Sequence, residues 1–354
     1  MRLADLTQRA GEWLGGGGPM QDVVISSRIR LARNVAGVPF LSRTTQQQQV
    51  ELEQRLRQEV LACGLSGNSF YVDVSAACET DRQLLVERHL ISRQHAQAPH
   101  ARGVAVSEDE TVAIMVNEED HLRLQVLRAG MQLDEAWEQI AQIDEQLESR
   151  VAYAFHSRFG YLTACPTNVG TGMRLSVMLH LPALKMTGEI EKAFRAAVDM
   201  HLEIRGLFGE GTEASGDFFQ ISNQTTLGKS ERAIIEDFRD NYVPQFVTYE
   251  RKARESLMHR RPAAVDDKIF RAMAILGSAR LISSEETMYL LSLARLGVNL
   301  KRVTNIDIRL INELFLLTQP AHLQKITNKE MEPQQRAQVR AEYIRRRLNQ
   351  ANSQ

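Results

Sequence analysis

Cysteines and long apolar runs are scarce in this sequence, and each shortage excludes a class of protein. Three cysteines occur in 354 residues, Cys63, Cys78 and Cys165, and their wide spacing gives neither a C-x-x-C zinc site nor a disulfide framework. No apolar run reaches the roughly 18 residues that a membrane helix needs. The first residues lack the basic and apolar segments of an export signal. A cytoplasmic protein that is neither exported nor membrane-bound is therefore expected.

An excess of basic charge is also missing. The chain has 43 Lys and Arg against 44 Asp and Glu, which gives a formal net charge of −1. A sequence-blind nucleic-acid binder would carry a basic excess, so direct nucleic-acid binding is not expected. Hydrophobic residues make up 43% of the chain, which is ordinary for a globular protein, and the length has room for two domains.

Hydrophobic periodicity divides the chain into three parts. Residues 1–20, which end in a glycine run, are predicted to be a flexible leader. In residues 21–255, strands and helices of mixed length follow each other without a βαβ rhythm. That pattern predicts an α+β catalytic domain with an antiparallel sheet flanked by helices. Residues 256–354 follow a break near Arg260-Arg261-Pro262 and are predicted to form an all-α domain.

The predicted elements have these limits. Strands are expected at residues 23–32, 70–74, 112–116, 161–165, 174–180, 203–208 and 218–225. Helices are expected at residues 46–63, 81–91, 133–155 and 187–201, and then at 230–256, 267–280, 285–296, 307–317 and 334–349.

The most informative segment is residues 163–176, Thr-Ala-Cys-Pro-Thr-Asn-Val-Gly-Thr-Gly-Met-Arg-Leu-Ser. Its two glycines allow backbone N–H groups to approach an anion, and Arg174 can meet phosphate oxygens with two parallel hydrogen bonds. The segment lacks the Gly-Lys-Ser/Thr ending of a P-loop and the Gly-x-Gly-x-x-Gly of a dinucleotide-binding fold. An anion site of another kind is predicted.

Two arginines of the first strand, Arg28 and Arg30, alternate with Ser27 and Ile29 and therefore share one face. Two neighbouring guanidinium groups repel each other unless a polyanion lies between them. By itself, the five-residue segment Ser26–Arg30 is compatible with two interpretations, a polyanion site and a solvated strand face.

A cluster of charged residues, Asn117 to Arg123, follows the apolar run 112–116. If the cluster is extended, Glu119, His121 and Arg123 share one face. A surface ion pair is the simplest interpretation, but charges at the end of a buried strand are typical of active sites. His121 by itself is expected to be structural.

The segment from Arg205 to Gly216 contains four glycines. Arg205 lies at its root and Glu210 near its tip. It is either an ordinary surface loop or a lid that carries a phosphate-binding arginine and a carboxylate into a site.

Taken together, these segments supply five arginines and two glutamates to one domain. The arginines suit the phosphates of a triphosphate. The two carboxylates, Glu119 and Glu210, suit a planar cation, and one of them can accept the proton that this cation loses. The five arginines are Arg28, Arg30, Arg123, Arg174 and Arg205.

These segments, over about residues 22–250, resemble the catalytic domain of the phosphagen (guanidino) kinases, which transfer the γ-phosphate of ATP to a guanidinium nitrogen. The resemblance implies that Glu119 and Glu210 hold the acceptor guanidinium and that Cys165 is the family's reactive cysteine. It implies that Mg²⁺ is held through nucleotide phosphates and water, without direct protein ligands. The arginines that it assigns to ATP are Arg28, Arg30, Arg123, Arg174 and Arg205.

The domain arrangement is similar to the bacterial protein arginine kinases, the McsB family. Only 27 residues precede Arg28, so the N-terminal domain that encloses a free guanidine in phosphagen kinases is expected to be missing, and the acceptor side to be open. In that family a C-terminal Arg-Asp-x-x-Arg-Ala motif forms a phosphoarginine pocket. Here Arg336 and Arg340 match its arginines, but Ala337 replaces the aspartate.

The resemblance implies a kinase of arginine side chains in proteins, acting in stress response and marking proteins for a Clp protease. Its expected partners are proteins with exposed arginines, such as repressors and unfolded proteins, an activator protein, the Clp protease and a second copy in a homodimer. Two alternatives remain open: a kinase of free arginine or another small guanidine, and a non-catalytic adaptor.

Overall fold

A single antiparallel sheet organises the first two thirds of the protein. The structure, a computed structural model, describes residues 3–65, 69–206 and 215–352. The strands within these ranges are β1 Val24–Arg33, β2 Phe70–Asp73, β3 Gly103–Val106, β4 Val112–Val116, β5 Leu122–Ala129, β6 Phe155–His156, β7 Gly160–Tyr161, β8 Met173–His180, β9 Leu202–Gly206 and β10 Phe218–Asn223. Eight of them form one sheet in the order β2-β3-β4-β5-β1-β8-β10-β9, while β6 and β7 form a separate hairpin.

Helices cover the sheet and form the whole C-terminal region. They are α1 Gln46–Ala62, α2 Glu79–Glu87, α3 Arg93–Gln97, α4 Leu133–Glu148, α5 Pro182–Thr187, α6 Ile190–Asp199, α7 Glu231–Glu236, α8 Val243–Arg260, α9 Pro262–Ser278, α10 Ser284–Asn299, α11 Ile308–Leu317, α12 Pro320–Thr327 and α13 Pro333–Asn352. A π-helical segment, Asp237–Tyr242, joins α7 to α8. The predicted α+β class, with an antiparallel sheet flanked by helices and an all-helical C-terminal region, is confirmed.

Local sequence explains where several elements begin. Thr45 starts α1 with a capping box, because its hydroxyl accepts from Gln48 N–H while the Gln48 side chain accepts from Thr45 N–H. In β1, Ile29 and Leu31 are fully buried under the helices. Arg28 and Arg30 alternate with them and point to the opposite face, where they are only partly buried.

The second face of the sheet is covered at one end by the C-terminal helices. Leu127 and Met178 lie on the same face as Arg28, as their cross-strand pairings show, and they belong to the apolar core of the helical region. Phe218 extends this contact, since its ring meets that of Phe315 edge-on with centroids 4.6 Å apart. The other end of this face carries the arginines.

The segment predicted to be a flexible leader contains residues that pack against the rest of the protein. Leu6, Trp13 and Leu14 are buried, and the Trp13 ring meets the ring of His89 edge-on at 5.3 Å. Trp13 and Leu14 pack between the sheet and the C-terminal helices. Burial of two large apolar side chains outweighs the freedom of the following glycines.

Other differences are local. The short elements β3, β6, α3, α5 and α12, together with β5, were not predicted. The helix expected at residues 133–155 ends at Glu148, and the strand expected at residues 161–165 ends at Tyr161. The helix expected to end at 256 continues to Arg260, and α9 begins directly at Pro262. None of the helices that the structure describes has the length and apolar character to cross a membrane.

Candidate active site

Strand pairing brings five arginines onto one face of the sheet. Residues directly opposite each other on neighbouring strands share a face. Arg30 lies opposite Arg174 on β8, and Arg28 lies opposite Ser176. On β5, Arg123 lies opposite Ala32 of β1. Arg205 of β9 lies opposite Gln220, which in turn lies opposite Met178 in the same row of the sheet. Every arginine that the sequence assigned to phosphate binding therefore faces the same side.

The two arginines of β1, Arg28 and Arg30, differ in how many hydrogen-bond partners their guanidinium groups have. Arg28 donates to Ser176 Oγ at 3.2 Å and to Gln220 Oε1 at 2.8 Å. Arg30 Nε is buried and has no hydrogen-bond partner among the described residues. Burial lowers the pKa of both guanidinium groups, and the charges of Arg123 and Arg174 lower it further. An anion on this face would relieve that repulsion.

One carboxylate lies inside the arginine cluster. Glu203 accepts from Arg174 Nη2, and from Arg205 Nε at 2.7 Å. Burial acts to raise the pKa of Glu203, but the hydrogen bonds from the two arginines outweigh it and lower the pKa. Arg174 also donates to Ser222 Oγ at 2.8 Å, while its Nε is buried without a partner among the described residues. The cluster thus keeps donors for a further anion.

Residues 117–121 of the Asn117–Arg123 segment form a tight turn between β4 and β5, and Arg123 lies in β5. Asn117 has φ +58, and Asn117 N–H donates to His121 O at 2.9 Å. The condition under which Glu119, His121 and Arg123 would share one face, an extended backbone, is not met, because the chain reverses between β4 and β5. His121 is buried and accepts from Val35 N–H through Nδ1, as expected of a structural histidine.

Glu118, not Glu119, pairs with Arg123. Arg123 Nη1 donates to Glu118 Oε2 at 2.5 Å, and the Ser92 hydroxyl donates to Glu118 Oε1 at 2.6 Å. Burial acts to raise the pKa of Glu118, but Arg123 and Ser92 lower it to about 2. Glu118 therefore stays ionised and fixes Arg123 on the sheet.

Glu119 stands at the tip of this turn, half-buried. Burial raises the pKa of its carboxyl, and the neighbouring charges of Asp120 and Glu118 raise it further, against the effect of Arg123. Its side chain makes no hydrogen bond to the part of the chain that the structure describes. A carboxylate with a raised pKa and a vacant oxygen is suited to accept a proton.

Asp120 ties the turn to the cysteine motif. Its Oδ1 accepts from Asn34 Nδ2 at 2.6 Å and from Ala164 N–H at 2.7 Å. Cys165, the next residue, is half-buried, and its Sγ lies 3.0 Å from Thr167 Oγ1. The structure thus brings the motif next to the Glu119 turn, while the reactivity of Cys165 stays a prediction.

The glycines of this motif bring three backbone segments together. Gly172 has φ +65, and a Cβ there would lie 2.6 Å from Ala32 O. Gly170 has φ +117, and its Cβ would lie 2.8 Å from Thr226 O. Glycine is therefore required at both positions for the backbone to reach β8 with Arg174 at its start.

The remaining predicted residues lie elsewhere. Glu210 is outside the described residues, so its role stays a prediction. Arg336 and Arg340 lie on α13, away from the sheet. Arg340 is buried and donates to Thr318 O at 2.8 Å and Ile282 O at 3.1 Å, while Arg336 donates to Met331 O at 2.5 Å. Their present contacts connect segments of the helical region, and the phosphoarginine pocket stays a prediction.

Several polar residues of the site were missed by sequence reasoning. Glu118, Glu203, Ser176 and Gln220 orient the arginines. Glu203 had a usable signal, because it precedes Arg205 by two residues in a strand and must share its face. Within the described ranges, no group of three or more His, Cys, Asp or Glu side chains could hold a metal ion.

Two family models match consecutive parts of the chain. Residues 51–253 match the model described as ATP:guanido phosphotransferase, C-terminal catalytic domain. Residues 262–354 match the model described as protein-arginine kinase McsB C-terminal domain. The first match contains β2 to β10 and most of the site, and the second begins at the start of α9.

Relatives of similar length carry one name. The chain is 48% identical to a protein-arginine kinase of Symbiobacterium thermophilum over 349 residues, covering 98% of this chain and 99% of the relative. It is 41% identical to the protein-arginine kinase of Bacillus subtilis over 352 residues, covering 99% and 96%.

Solved structures agree in fold. A crystal structure of lombricine kinase has 30% identity and a TM-score of 0.57, and the match covers 67% of this chain and 68% of that chain. The duplicated taurocyamine kinase of Schistosoma mansoni, solved with bound transition state analog components, has 26% identity and a TM-score of 0.60, with 71% and 36% covered. This chain belongs to the protein-arginine kinase family of ATP:guanido phosphotransferases.

Proposed function

We propose that this protein transfers the γ-phosphate of ATP to a guanidinium nitrogen of arginine side chains in other proteins. One observation carries the proposal. Five arginines converge on one face of the sheet, and two of their donors, Arg30 Nε and Arg174 Nε, are buried without a hydrogen-bond partner among the described residues. Buried donors of this kind are costly unless a ligand satisfies them.

The arginine face suits the phosphates of a nucleotide. Arg28 and Arg123 are already oriented by Gln220 and Glu118, so little entropy is lost when they bind an anion. Arg30 and Arg174 supply the vacant donors. Mg²⁺, held through the phosphates and water, would neutralise charge that develops on the transferred group.

Glu119 is the proposed base. As the acceptor nitrogen forms its bond to the γ-phosphorus, the bond from that phosphorus to the bridging oxygen breaks and its electron pair leaves with ADP. The proton that the guanidinium loses passes to Glu119, whose raised pKa favours proton uptake. Glu210 is proposed to hold the guanidinium together with Glu119, and Cys165 to lie beside the acceptor.

The acceptor decides between the two kinase hypotheses. The names of the full-length relatives favour a protein-borne arginine, whereas the solved neighbours named lombricine and taurocyamine kinase keep a small guanidino compound as the second candidate.

Turnover of the two acceptors tests the proposal. The protein is incubated with Mg·ATP and either an unfolded protein or saturating free arginine, with Glu119→Gln as the inactive control. Labelling of the unfolded protein with no comparable labelling of free arginine is expected. Equal turnover of free arginine would favour the metabolite kinase, and labelling by Glu119→Gln at the wild-type rate would remove Glu119 from the mechanism.

The wider role remains part of the proposal. It includes action in the cytoplasm on repressors and unfolded proteins during stress, marking of targets for a Clp protease, an activator protein and a homodimer. A phosphate on arginine replaces a cation with an anion, which would release an arginine from DNA phosphates or create a new recognition mark.

A further inference from the structure

A polar groove with a volume of about 780 Å³ lies outside the arginine face, between α2 and α3. None of the sequence motifs accounts for it. Its charged and polar lining comes from three arginines, one glutamate and two glutamines, namely Arg82, Arg93, Arg102, Glu79, Gln83 and Gln97, with Ser75 at one end of this lining in sequence. We call these residues the basic groove.

The basic groove carries excess positive charge. Three arginines line the groove together with one glutamate, and one further carboxylate, Asp73, acts on the charge of Arg102. Arg102 is buried and donates to the backbone carbonyls of His95, Ala96 and His100. Burial lowers the pKa of Arg102, and the charge of Arg82 lowers it further. Arg82 makes no ion pair with the described residues, so the groove favours an anionic occupant.

The wall of the basic groove also supports the Glu119 turn. Ser92 caps α3 by accepting from His95 N–H, and its hydroxyl donates to Glu118 Oε1. Farther along the segment that leads from α3 to the groove residue Arg102, Asn117 Nδ2 donates to Ala101 O at 2.9 Å, and His100 Nε2 lies 2.7 Å from Asn117 O. The segment that lines the groove and the turn that presents Glu119 are therefore one connected unit.

We propose that the basic groove binds acidic side chains that flank the target arginine in a substrate polypeptide. This inference rests on the proposed function, because it takes the acceptor to be an arginine in a polypeptide. A chain whose arginine reaches Glu119 continues past α3, where carboxylates meet Arg82 and Arg93. Clusters of arginine recognise acidic segments by charge-assisted hydrogen bonds. Neighbouring acidic residues would thus select which arginines are phosphorylated.

Matched peptides test the inference. One arginine is placed in three otherwise identical unstructured peptides, with flanking Asp and Glu, with Asn and Gln, or with Lys. The wild-type protein is expected to phosphorylate the acidic peptide with a kcat/KM about fivefold above that of the neutral one, a value typical of exposed charge pairs. The preference should weaken in high salt.

Two variants distinguish a contribution of the basic groove to peptide preference from a contribution of the protein's overall charge. Arg82→Glu is expected to remove the acidic preference while its kcat/KM for the neutral peptide stays within about twofold of wild type, since a half-buried charge outside the arginine face does not contact the phosphates. Arg271→Glu is the control, because Arg271 is an exposed arginine of α9 with 76% of its side chain accessible, and it should keep the preference. Arg82→Gln, with an intermediate preference expected, replaces Arg82→Glu if that protein fails to fold.

The outcomes distinguish the inference from the proposed function. Equal phosphorylation of all three peptides by the wild-type protein would overturn the groove proposal and leave the kinase activity intact. A preference that persists in Arg82→Glu and in Arg93→Glu would also overturn it. Phosphorylation of none of the peptides, together with turnover of free arginine, would contradict the proposed function itself.

Discussion

Buried arginines occupy two regions of this molecule under opposite conditions. On the sheet face, Arg30 Nε and Arg174 Nε have no partners within the described residues. At the contact between the sheet domain and the C-terminal helices, Arg88 donates to both oxygens of Glu110, to Arg9 O, and contacts His322 Nε2 at 3.1 Å. In the first region two buried donors lack partners among the described residues, whereas in the second each guanidinium nitrogen of Arg88 has one.

A second interdomain arginine follows the same rule. Arg295 of α10 donates to the backbone carbonyls of Gln21 and Asp22, to Asn312 Oδ1, and contacts His180 Nδ1 at 3.0 Å. Glu87 adds to this interface by accepting from the first N–H groups of α12, Ala321 and His322. Because each guanidinium nitrogen of Arg88 and Arg295 has a partner, these charges hold the domains together, whereas vacant donors on the sheet face leave room for a ligand.

The largest effect on stability is expected at the interdomain contact. Arg88→Met would leave the buried Glu110 without its partner, which costs about 3–5 kcal/mol when a buried ion pair is broken. Urea unfolding should show this loss, with Arg271→Met on exposed α9 as a control that changes little. An unchanged free energy of unfolding in Arg88→Met would remove the contrast between the two regions.

The largest effect on catalysis is expected at Glu119. Glu119→Gln should lower kcat by at least about 100-fold, because general-base catalysis typically contributes that much. ATP affinity should stay close to wild type, since the carboxylate acts on the acceptor. Stopped-flow binding of a fluorescent nucleotide beside steady-state turnover measures both. A loss of ATP affinity equal to the loss of rate would assign Glu119 to the nucleotide instead.

Arg30→Met is the counterpart of Arg88→Met. Removal of Arg30 should weaken ATP binding about tenfold or more, because hydrogen bonds to charged groups contribute about 1.5–3 kcal/mol. The free energy of unfolding should stay the same or rise, because a buried cation that Arg28, Arg123 and Arg174 repel is lost. Titration calorimetry and urea unfolding on one preparation would decide. Strong destabilisation would make Arg30 a structural residue.

The smallest effect is a shift in pH dependence. The charge of Asp120 helps to raise the pKa of Glu119, and the reaction needs Glu119 ionised. Activity therefore falls as the pH drops through this raised pKa, above the range of an ordinary glutamate. Asp120→Asn should move the acid limb of the kcat/KM profile to lower pH, while an identical limb in both proteins would show that another group controls it.

Much of this contrast could be predicted from the sequence. The alternation in β1 placed Arg28 and Arg30 on one face, and the glycines before Arg174 indicated a close approach of backbone. The absence of a βαβ rhythm along residues 21–255 also predicted the antiparallel sheet. These features could be predicted because each depends only on residues that are neighbours in the chain.

The remainder depends on tertiary contacts. Three consecutive acidic residues do not reveal which one pairs with Arg123; Ser92, the N-cap residue of α3, helps to fix Glu118 in that role. The pairing of Glu203 with Arg174 requires the strand order β8-β10-β9. The ordered packing of Trp13 depends on the C-terminal helices, which lie far along the chain.

The chemical identity of the phosphorylated residue tests the central claim most directly. An unfolded protein is treated with the wild-type enzyme and Mg·ATP and then analysed by mass spectrometry without exposure to acid, because the expected product contains a P–N bond. The account predicts phosphate on arginine, absent after treatment with Glu119→Gln. Phosphate on serine, threonine or tyrosine with none on arginine would contradict it.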